Sequence, residues 1–92
     1  MKITIICYAR FRDIFGEETQ VDLPESASIL DAVRHLASTA GSDAELLLTS
    51  EGLIQEYVMI VHQEARILPA EAESITLTGG ETITLFPPVS GG

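Results

Sequence analysis

The sequence ends in "FPPVSGG", and these seven residues hold the types best suited to chemistry. Pro87 and Pro88 lack an N–H and fix φ near about −65°, so they favour a stiff, extended segment. Gly91 and Gly92 have no Cβ, so their backbone fits a passage too narrow for side chains. A terminal carboxylate is unreactive until it is activated, for instance as an acyl-adenylate, and its acyl group then passes to sulfur or to an amine. We therefore interpret the tail as a group that is modified inside another protein's active site.

Two terminal glycines are a weak signal when taken alone. With glycine at about 7 % of residues, Gly-Gly would end roughly one chain in 200 by chance, and chain ends are often frayed and disposable. The signal is stronger here because the glycines closely follow a predicted strand, with Pro-Pro as a stem between them.

The sequence predicts five β-strands, and these elements must position the tail. Ile- and Thr-rich or alternating patterns predict strands over residues 2–9, 17–24, 56–63, 64–69 and 81–86. In the third, Val58, Ile60 and His62 face one way and Tyr57, Met59 and Val61 the other. Residues 10–16 read as a short connection, so the first two strands are expected to form an antiparallel hairpin.

One amphipathic helix follows the second strand. Apolar residues recur at helical spacing in "SILDAVRHLASTAG". Ser28 is the expected N-cap, with Asp31 completing a capping box, and Gly41 is the expected C-terminal stop. For residues 42–56 the sequence does not decide between a further helical turn and an irregular connection or short strand.

This order of elements predicts an α+β domain. The apolar first and last strands are expected to lie centrally and, because the helix makes the crossover, to run parallel. The predicted architecture is a β-grasp, with one helix packed across a mixed sheet of about five strands. We assign residues 1–86 to this domain and residues 87–92 to an extended tail.

The charge and the single cysteine limit the function classes. Fourteen Asp and Glu against five Lys and Arg give a net charge of −9. We expect no nucleic-acid partner, because such binding needs clustered cations. A partner with a basic face is the alternative to a charge that only aids solubility. Cys7 predicts a buried hydrophobe in a reducing compartment. With no apolar run near the roughly 20 residues that a span needs, we expect a cytoplasmic protein with no membrane partner.

Motifs along the whole chain resemble those of the MoaD/ThiS group of ubiquitin-like sulfur carriers. "FPPVSGG" is similar to the terminal signature of the small subunit of molybdopterin synthase. "CYARFRDIFG" resembles the family's aromatic and Arg-acidic segment, with Tyr8, Ala9, Phe11, Arg12 and Asp13 in matching places. "LTGGETITLFPP" resembles its turn before the last strand, and "YVMIVHQEARI" occupies the place of its Val-Asn-Gly segment.

Three residues depart from the family pattern. His62 stands where Asn is usual, Gln63 where Gly is common, and Glu81 where the turn usually has Asp. All three affect turns, so they bear on the subfamily and leave the fold prediction intact. The additional length around residues 41–56 resembles the longer, often archaeal, members.

The resemblance implies a mechanism that the partners catalyse. A ubiquitin-activating-like enzyme would adenylate the Gly92 carboxylate with ATP, and a sulfur donor would convert it to a thiocarboxylate. The tail would then enter the large subunit of molybdopterin synthase, with Gly91 as a spacer. The chain itself would bind no cofactor and no metal. The docking segment implied by the resemblance is Phe86, Pro87, Pro88, Val89 and Ser90.

Residues near the tail give a wider candidate surface. Ile6, Tyr8, Met59 and Phe86 form either an exposed interface patch or part of the core, since the strand phase is not fixed. Arg10 and Arg12 are expected to pair within the chain, with Asp13 or Glu17, or else to meet an acidic group of a partner. We include Tyr8, Arg12 and Met59 in the predicted partner surface. His35 is expected on the solvent side of the helix.

Three functions remain at this point. The first is a sulfur carrier for molybdenum- or tungsten-cofactor synthesis. The second is a carrier for another product, such as thiamine, thiolated tRNA or cysteine, or a modifier joined through Gly92 to protein lysines. The third is a β-grasp interaction module with an inert tail. Loss of Gly92 separates the third from the others, because only an inert tail tolerates it.

Overall fold

The computed structural model describes residues 1–88, and five strands in this part form one mixed sheet. The strands are β1 (Lys2–Cys7), β2 (Glu18–Asp22), β3 (Met59–His62), β4 (Ala65–Ile67) and β5 (Thr82–Phe86). They lie in the order β2-β1-β5-β3-β4, with β1 and β5 parallel and every other neighbouring pair antiparallel. The predicted β-grasp arrangement, with the first and last strands central, is therefore confirmed.

Helix α2 (Ile29–Ala37) packs its apolar side on one face of this sheet. Its buried residues are Ile29, Leu30, Ala32, Val33, Leu36 and Ala37. They cover the inward residues of the two central strands, among them Ile5 and Ile83, which are paired in register and fully buried. His35 is exposed, as predicted.

The predicted N-terminal cap of α2 is confirmed. The Ser28 hydroxyl accepts from the Asp31 N–H at 3.1 Å, and the Ser28 N–H donates to the Asp31 carboxylate at 2.9 Å. The predicted stop at Gly41 is wrong, because the helix ends at Ala37 with Ser38 as its C-cap. There the Ser38 and Thr39 hydroxyls donate to carbonyls of the last turn at 2.6 and 2.9 Å, which satisfies these groups before Gly41 is reached.

The expected connection after the first strand is instead helix α1 (Ala9–Phe15). Phe11 and Phe15 are one helical turn apart, and their rings meet edge to face at 5.9 Å. Phe11 is buried against the core, which stabilises a helix that its polar residues alone do not predict. Gly16 ends the helix with φ +97°, a value that favours glycine. β1 and β2 still pair antiparallel across this helix.

Two 3₁₀ helices complete the fold, at Gly41–Leu46 and Pro69–Ser74. The first corresponds to the further helical turn that the sequence left open, and a single β-bridge joins Leu48 to Ile54 after it. The second was not predicted. It follows the edge strand β4 and buries Ala72. None of the helices within residues 1–88 is long and apolar enough to cross a membrane.

Cys7 lies at the end of β1 in the core and is only 2 % exposed. Burial raises the pKa of its thiol to about 11. The thiol therefore stays protonated at neutral pH, which confirms the predicted role of a small buried hydrophobe.

Candidate functional site

The stem of the tail leaves the sheet beside the end of β1. The Tyr8 N–H donates to the Leu85 carbonyl at 3.2 Å, which holds the two chain segments together. The rings of Tyr8 and Phe86 are stacked at 4.8 Å with planes 8° apart. Met59 lies on the other side of Phe86, as its register partner on β3. The structure therefore brings together three residues that the sequence placed on the partner surface.

These three residues belong to an apolar patch on the face of the sheet that α2 does not cover. We call Ile6, Tyr8, Met59 and Phe86 the tail patch. Strand alternation points them away from the core, and Tyr8 is 47 % exposed while the other three are half-buried. Of the two readings left open by the sequence, the exposed patch is the one observed. A contiguous apolar patch on a small domain marks an interaction surface.

A pocket of about 450 Å³ lies at the base of the tail. We call it the stem pocket. Its walls come from α1, from the first 3₁₀ helix, from the loop before β3 and from the stem itself. They are Ala9, Arg10, Phe11, Leu46, Tyr57, Pro87 and Pro88. The Tyr57 hydroxyl donates to the Leu46 carbonyl at 2.6 Å, which fixes one wall. The pocket offers a partner an apolar recess directly beside the stem.

The two arginines of α1 do not form the ion pairs that we predicted within the chain. Within residues 1–88, no carboxylate lies within 4.0 Å of Arg10 or Arg12. Asp13 follows Arg12 directly, and neighbours in sequence do not face each other on a helix. Glu17 lies beyond Gly16, where the positive φ turns the chain. Both guanidinium groups are exposed, so they are accessible to an acidic group of a partner.

The stem pocket includes residues that the sequence analysis missed. Arg10 lines it, whereas Arg12, which we had placed on the partner surface, does not. The spacing of Phe11 and Phe15 could have revealed α1 and thereby the position of Arg10. Leu46 gave no such signal, because residues 42–56 lack helical or strand periodicity. Tyr57 was predicted on the third strand, on the same side as Met59, but the strand begins at Met59 and Tyr57 lies in the loop before it.

The three departures from the family pattern form one cluster at the opposite end of β5. Glu81 Oε1 accepts from the Thr78 N–H at 2.8 Å and contacts His62 Nε2 at 3.1 Å. The Gln63 amide donates to Glu81 Oε2. Among residues 1–88, the His62–Glu81 contact is the one side-chain ion pair, formed when the ring is protonated.

Hydrogen bonding stabilises the charged form of Glu81. The Thr78 N–H, followed by the His62 ring, holds the pKa of the Glu81 carboxyl below its usual range. His62 pairs with Ile83 in the ladder, whereas Met59 pairs with Phe86 at the tail end. The cluster therefore ties the β3–β4 turn to the turn before β5, and it is separate from the tail patch.

Four predicted site residues, Val89, Ser90, Gly91 and Gly92, lie outside the described residues. Their roles as stem, spacer and reactive terminus stay predictions. The described part of the tail is Pro87, which is half-buried, and Pro88, which is exposed.

The fold defines a class of protein, the ubiquitin-like β-grasp proteins. The sequence profile of the ThiS family matches residues 5–92. The chain belongs to the ThiS family, within the wider group of ubiquitin-like sulfur carriers and modifiers.

Three similar proteins come from archaea. Small archaeal modifier protein 3 of Haloferax volcanii is 24 % identical over 95 residues, covering 100 % of both chains. The crystal structure of SAMP1 from the same organism superposes with a TM-score of 0.86 at 20 % identity over 100 % of both chains. A putative molybdopterin converting factor, subunit 1, from Pyrococcus furiosus gives a TM-score of 0.74 at 24 % identity, covering 96 % of this chain and 98 % of that one. At these identities the solved structures establish the fold.

Proposed function

We propose that this protein is a sulfur carrier whose Gly92 carboxylate is converted to a thiocarboxylate. The observation that carries the proposal is the exit of the stem from the centre of the sheet, between the tail patch and the stem pocket. Membership of the ThiS family supports it. The proposal requires Gly92 to be the last residue of the working protein.

The chemistry takes place in two balanced steps in a partner enzyme. The Gly92 carboxylate attacks the α-phosphorus of ATP, which forms an acyl-adenylate and releases pyrophosphate. Hydrosulfide supplied by a sulfur donor then attacks the acyl carbon and AMP leaves, so that one carboxylate oxygen is exchanged for sulfur. Because activation and sulfur transfer are both catalysed by partners, this chain contributes the acyl group and the surface that positions it.

The described residues support a docking role for the tail patch and the stem pocket. Burial of Tyr8, Met59 and Phe86 by a partner would remove apolar area from water and bring the stem to a fixed place. Arg10 at the pocket wall is suited to an acidic side chain of the activating enzyme. Pro87 and Pro88 restrict the stem, which lowers the entropy that the tail loses on entering a narrow channel.

Molybdopterin synthesis is our first choice for the sulfur acceptor, with the chain as the small subunit of the synthase. The resemblance of "FPPVSGG" supports it, as does the similarity to a putative molybdopterin converting factor subunit. The second candidate is a protein modifier, in which a lysine amine attacks the acyl-adenylate and forms an amide with release of AMP. The whole-length similarity to a small archaeal modifier protein favours this candidate.

The decisive experiment is the intact mass of the protein after incubation with ATP, a ubiquitin-activating-like enzyme and a sulfur donor. We expect a mass gain equal to the exchange of one oxygen for sulfur. The gain should be absent when Gly92 is deleted and when one residue is added after it. An unchanged mass with an enzyme that activates related carriers would contradict the proposal and favour an inert interaction module.

A second assay separates the acceptors. The thiocarboxylated protein is mixed with the large subunit of molybdopterin synthase and the pterin precursor, and separately with ATP, activating enzyme and cell extract. Formation of molybdopterin in the first mixture supports our first choice. Conjugates that resist thiol reductants and require Gly92, formed only in the second mixture, support the modifier.

A further inference from the structure

A second groove lies on the helix side of the molecule, and no residue that lines it also lines the stem pocket. It runs between the first turn of α2, the loop of residues 49–56 and the second 3₁₀ helix. Its volume is about 390 Å³. The apolar side chains that line it are Leu30, Leu53, Ile54 and Pro69. Leu30 and Ile54 are buried, whereas Leu53 is 46 % exposed, so a large apolar side chain stands in water at the groove.

Three carboxylates surround this apolar floor. Glu51, Glu56 and Glu73 line the groove, and no Lys or Arg is among its lining residues. Within the described part of the chain, none of the three is in an ion pair within 4.0 Å. Arg34 holds the loop by donating from Nε to the Gly52 carbonyl at 2.7 Å, but it does not line the groove. The groove therefore combines an apolar recess with an uncompensated negative rim.

We propose that this acidic groove docks a segment of a partner protein in which an apolar side chain is flanked by Lys or Arg. The apolar side chain would cover Leu53 and fill the recess, and the flanking cations would face the three carboxylates. Such complementarity gives specificity and raises the rate of encounter in a protein with a net charge of −9. This proposal does not rest on the function of the tail.

A second copy of this chain is a poor occupant of the groove. The chain has five Lys and Arg in total, and its close basic pair, Arg10 and Arg12, flanks Phe11. Phe11 is 2 % exposed and cannot enter a groove without unfolding α1. A foreign basic segment therefore fits the groove better than a second copy. Because the groove and the stem pocket share no residue, a partner held here leaves the stem pocket free.

The test uses a synthetic peptide with two leucines flanked on each side by Lys and Arg. It is titrated into the ¹⁵N-labelled full chain, with a control peptide in which every Lys and Arg is replaced by Gln. We expect amide shifts confined to the groove, at Leu30 and at residues 49–56 and 69–73, with an affinity that falls as salt is raised. Shifts confined to the tail patch, or equal binding of the Gln peptide, would overturn the proposal.

Two triple variants identify the role of the rim. Glu51→Gln/Glu56→Gln/Glu73→Gln should weaken peptide binding about tenfold, since exposed charge pairs contribute modestly and three are lost together. Glu17→Gln/Glu18→Gln/Glu25→Gln makes the same change in net charge at exposed sites outside the groove, and its affinity should stay within about twofold of the original. If both triple variants weakened peptide binding equally, the peptide would be attracted non-specifically to an acidic protein. This result would refute the groove as a docking site.

A third variant, Leu53→Ala, tests the apolar floor. Because Leu53 is largely exposed, the variant should keep the amide spectrum of the folded protein and still lose affinity at least threefold. Unchanged affinity would contradict the proposed contact. Concentration-dependent shifts of the groove amides without peptide would show that a second copy is the occupant, which would also overturn the proposal.

Discussion

At the scale of single residues, the three residues that differ from the family pattern meet in one hydrogen-bonded cluster. They are His62, Gln63 and Glu81. Glu81 accepts from the Thr78 N–H and contacts the two side chains of the β3–β4 turn. Each of the three residues departs from the family pattern on its own, and only the fold shows that they meet. The sequence could flag them as unusual, but residues 62 and 81 are too far apart in sequence for their contact to be read from spacing.

This cluster predicts a pH-dependent stability. The folded-state pKa of Glu81 is lowered, so its contribution to stability is present above its unfolded pKa and is lost as the pH falls through the folded-state pKa. Glu81→Gln should lower the free energy of unfolding at pH 7 by about 1 kcal/mol, at the low end for a charged hydrogen bond because the carboxylate is partly exposed. Urea unfolding of both proteins at pH 7 and pH 3 measures the change.

The difference between the two proteins should shrink at pH 3, since the ordinary pKa of Glu is about 4.3 and much of the contribution is lost there. Glu45→Gln, a neutralisation of an exposed residue outside the cluster, is the matched control and should show little difference at either pH. A Glu81→Gln effect that is equal at both pH values would argue against a charge-dependent tie between the turns.

At the scale of elements, the predicted secondary structure was correct where the sequence shows a clear hydrophobic period or a helix-capping motif. Ile- and Thr-rich or alternating patterns located all five strands to within three residues at each end, and the capping box at Ser28 and Asp31 located the start of α2 to the residue. α1 was missed because its seven residues span only two turns, too few for a helical period to stand out. The end of α2 was misplaced because side-chain hydroxyls compete with glycine as a helix terminator, and Ser38 comes first along the chain.

The capping box provides a prediction for α2. Ser28→Ala removes the oxygen that accepts from the Asp31 N–H at a largely buried helix start. We expect a loss of about 1 kcal/mol in the free energy of unfolding, which corresponds to a fall of about 4–8 °C in Tm for a domain of this size. Thermal unfolding followed by circular dichroism measures it. Ser42→Ala, at an exposed position in the first 3₁₀ helix, should change Tm by much less. An equal effect of both substitutions would contradict the role of the cap.

At the scale of the whole molecule, the topology places two different surfaces on two sides of one sheet. The tail patch occupies the face that α2 leaves open, while the acidic groove is built from α2 and the loops around it. The sequence named the four members of the tail patch but left open whether they face water or the core, because it did not fix the phase of the strands. The groove was not predicted, since it is assembled from a helix turn, a loop and a 3₁₀ helix that no sequence pattern relates.

The tail patch predicts the effect of Tyr8→Ala on activation of the tail. The substitution removes the ring stacked on Phe86, and we expect the apparent KM of the activating enzyme for this protein to rise about tenfold while kcat changes little. Adenylate formation measured by pyrophosphate release reports both constants. Leu68→Ala, which removes another exposed apolar side chain away from the tail, should leave KM unchanged. A fall in kcat with constant KM would place Tyr8 in the chemical step instead of in docking.

The central position of β5 has a mechanical consequence. A partner that draws the stem into its channel pulls along the axis of a strand bonded on both sides, to β1 and to β3. The ladder hydrogen bonds lie across that axis and are loaded in shear together, whereas the edge strand β4 could be peeled away one bond at a time. The topology therefore lets the domain bear tension on its tail without unravelling.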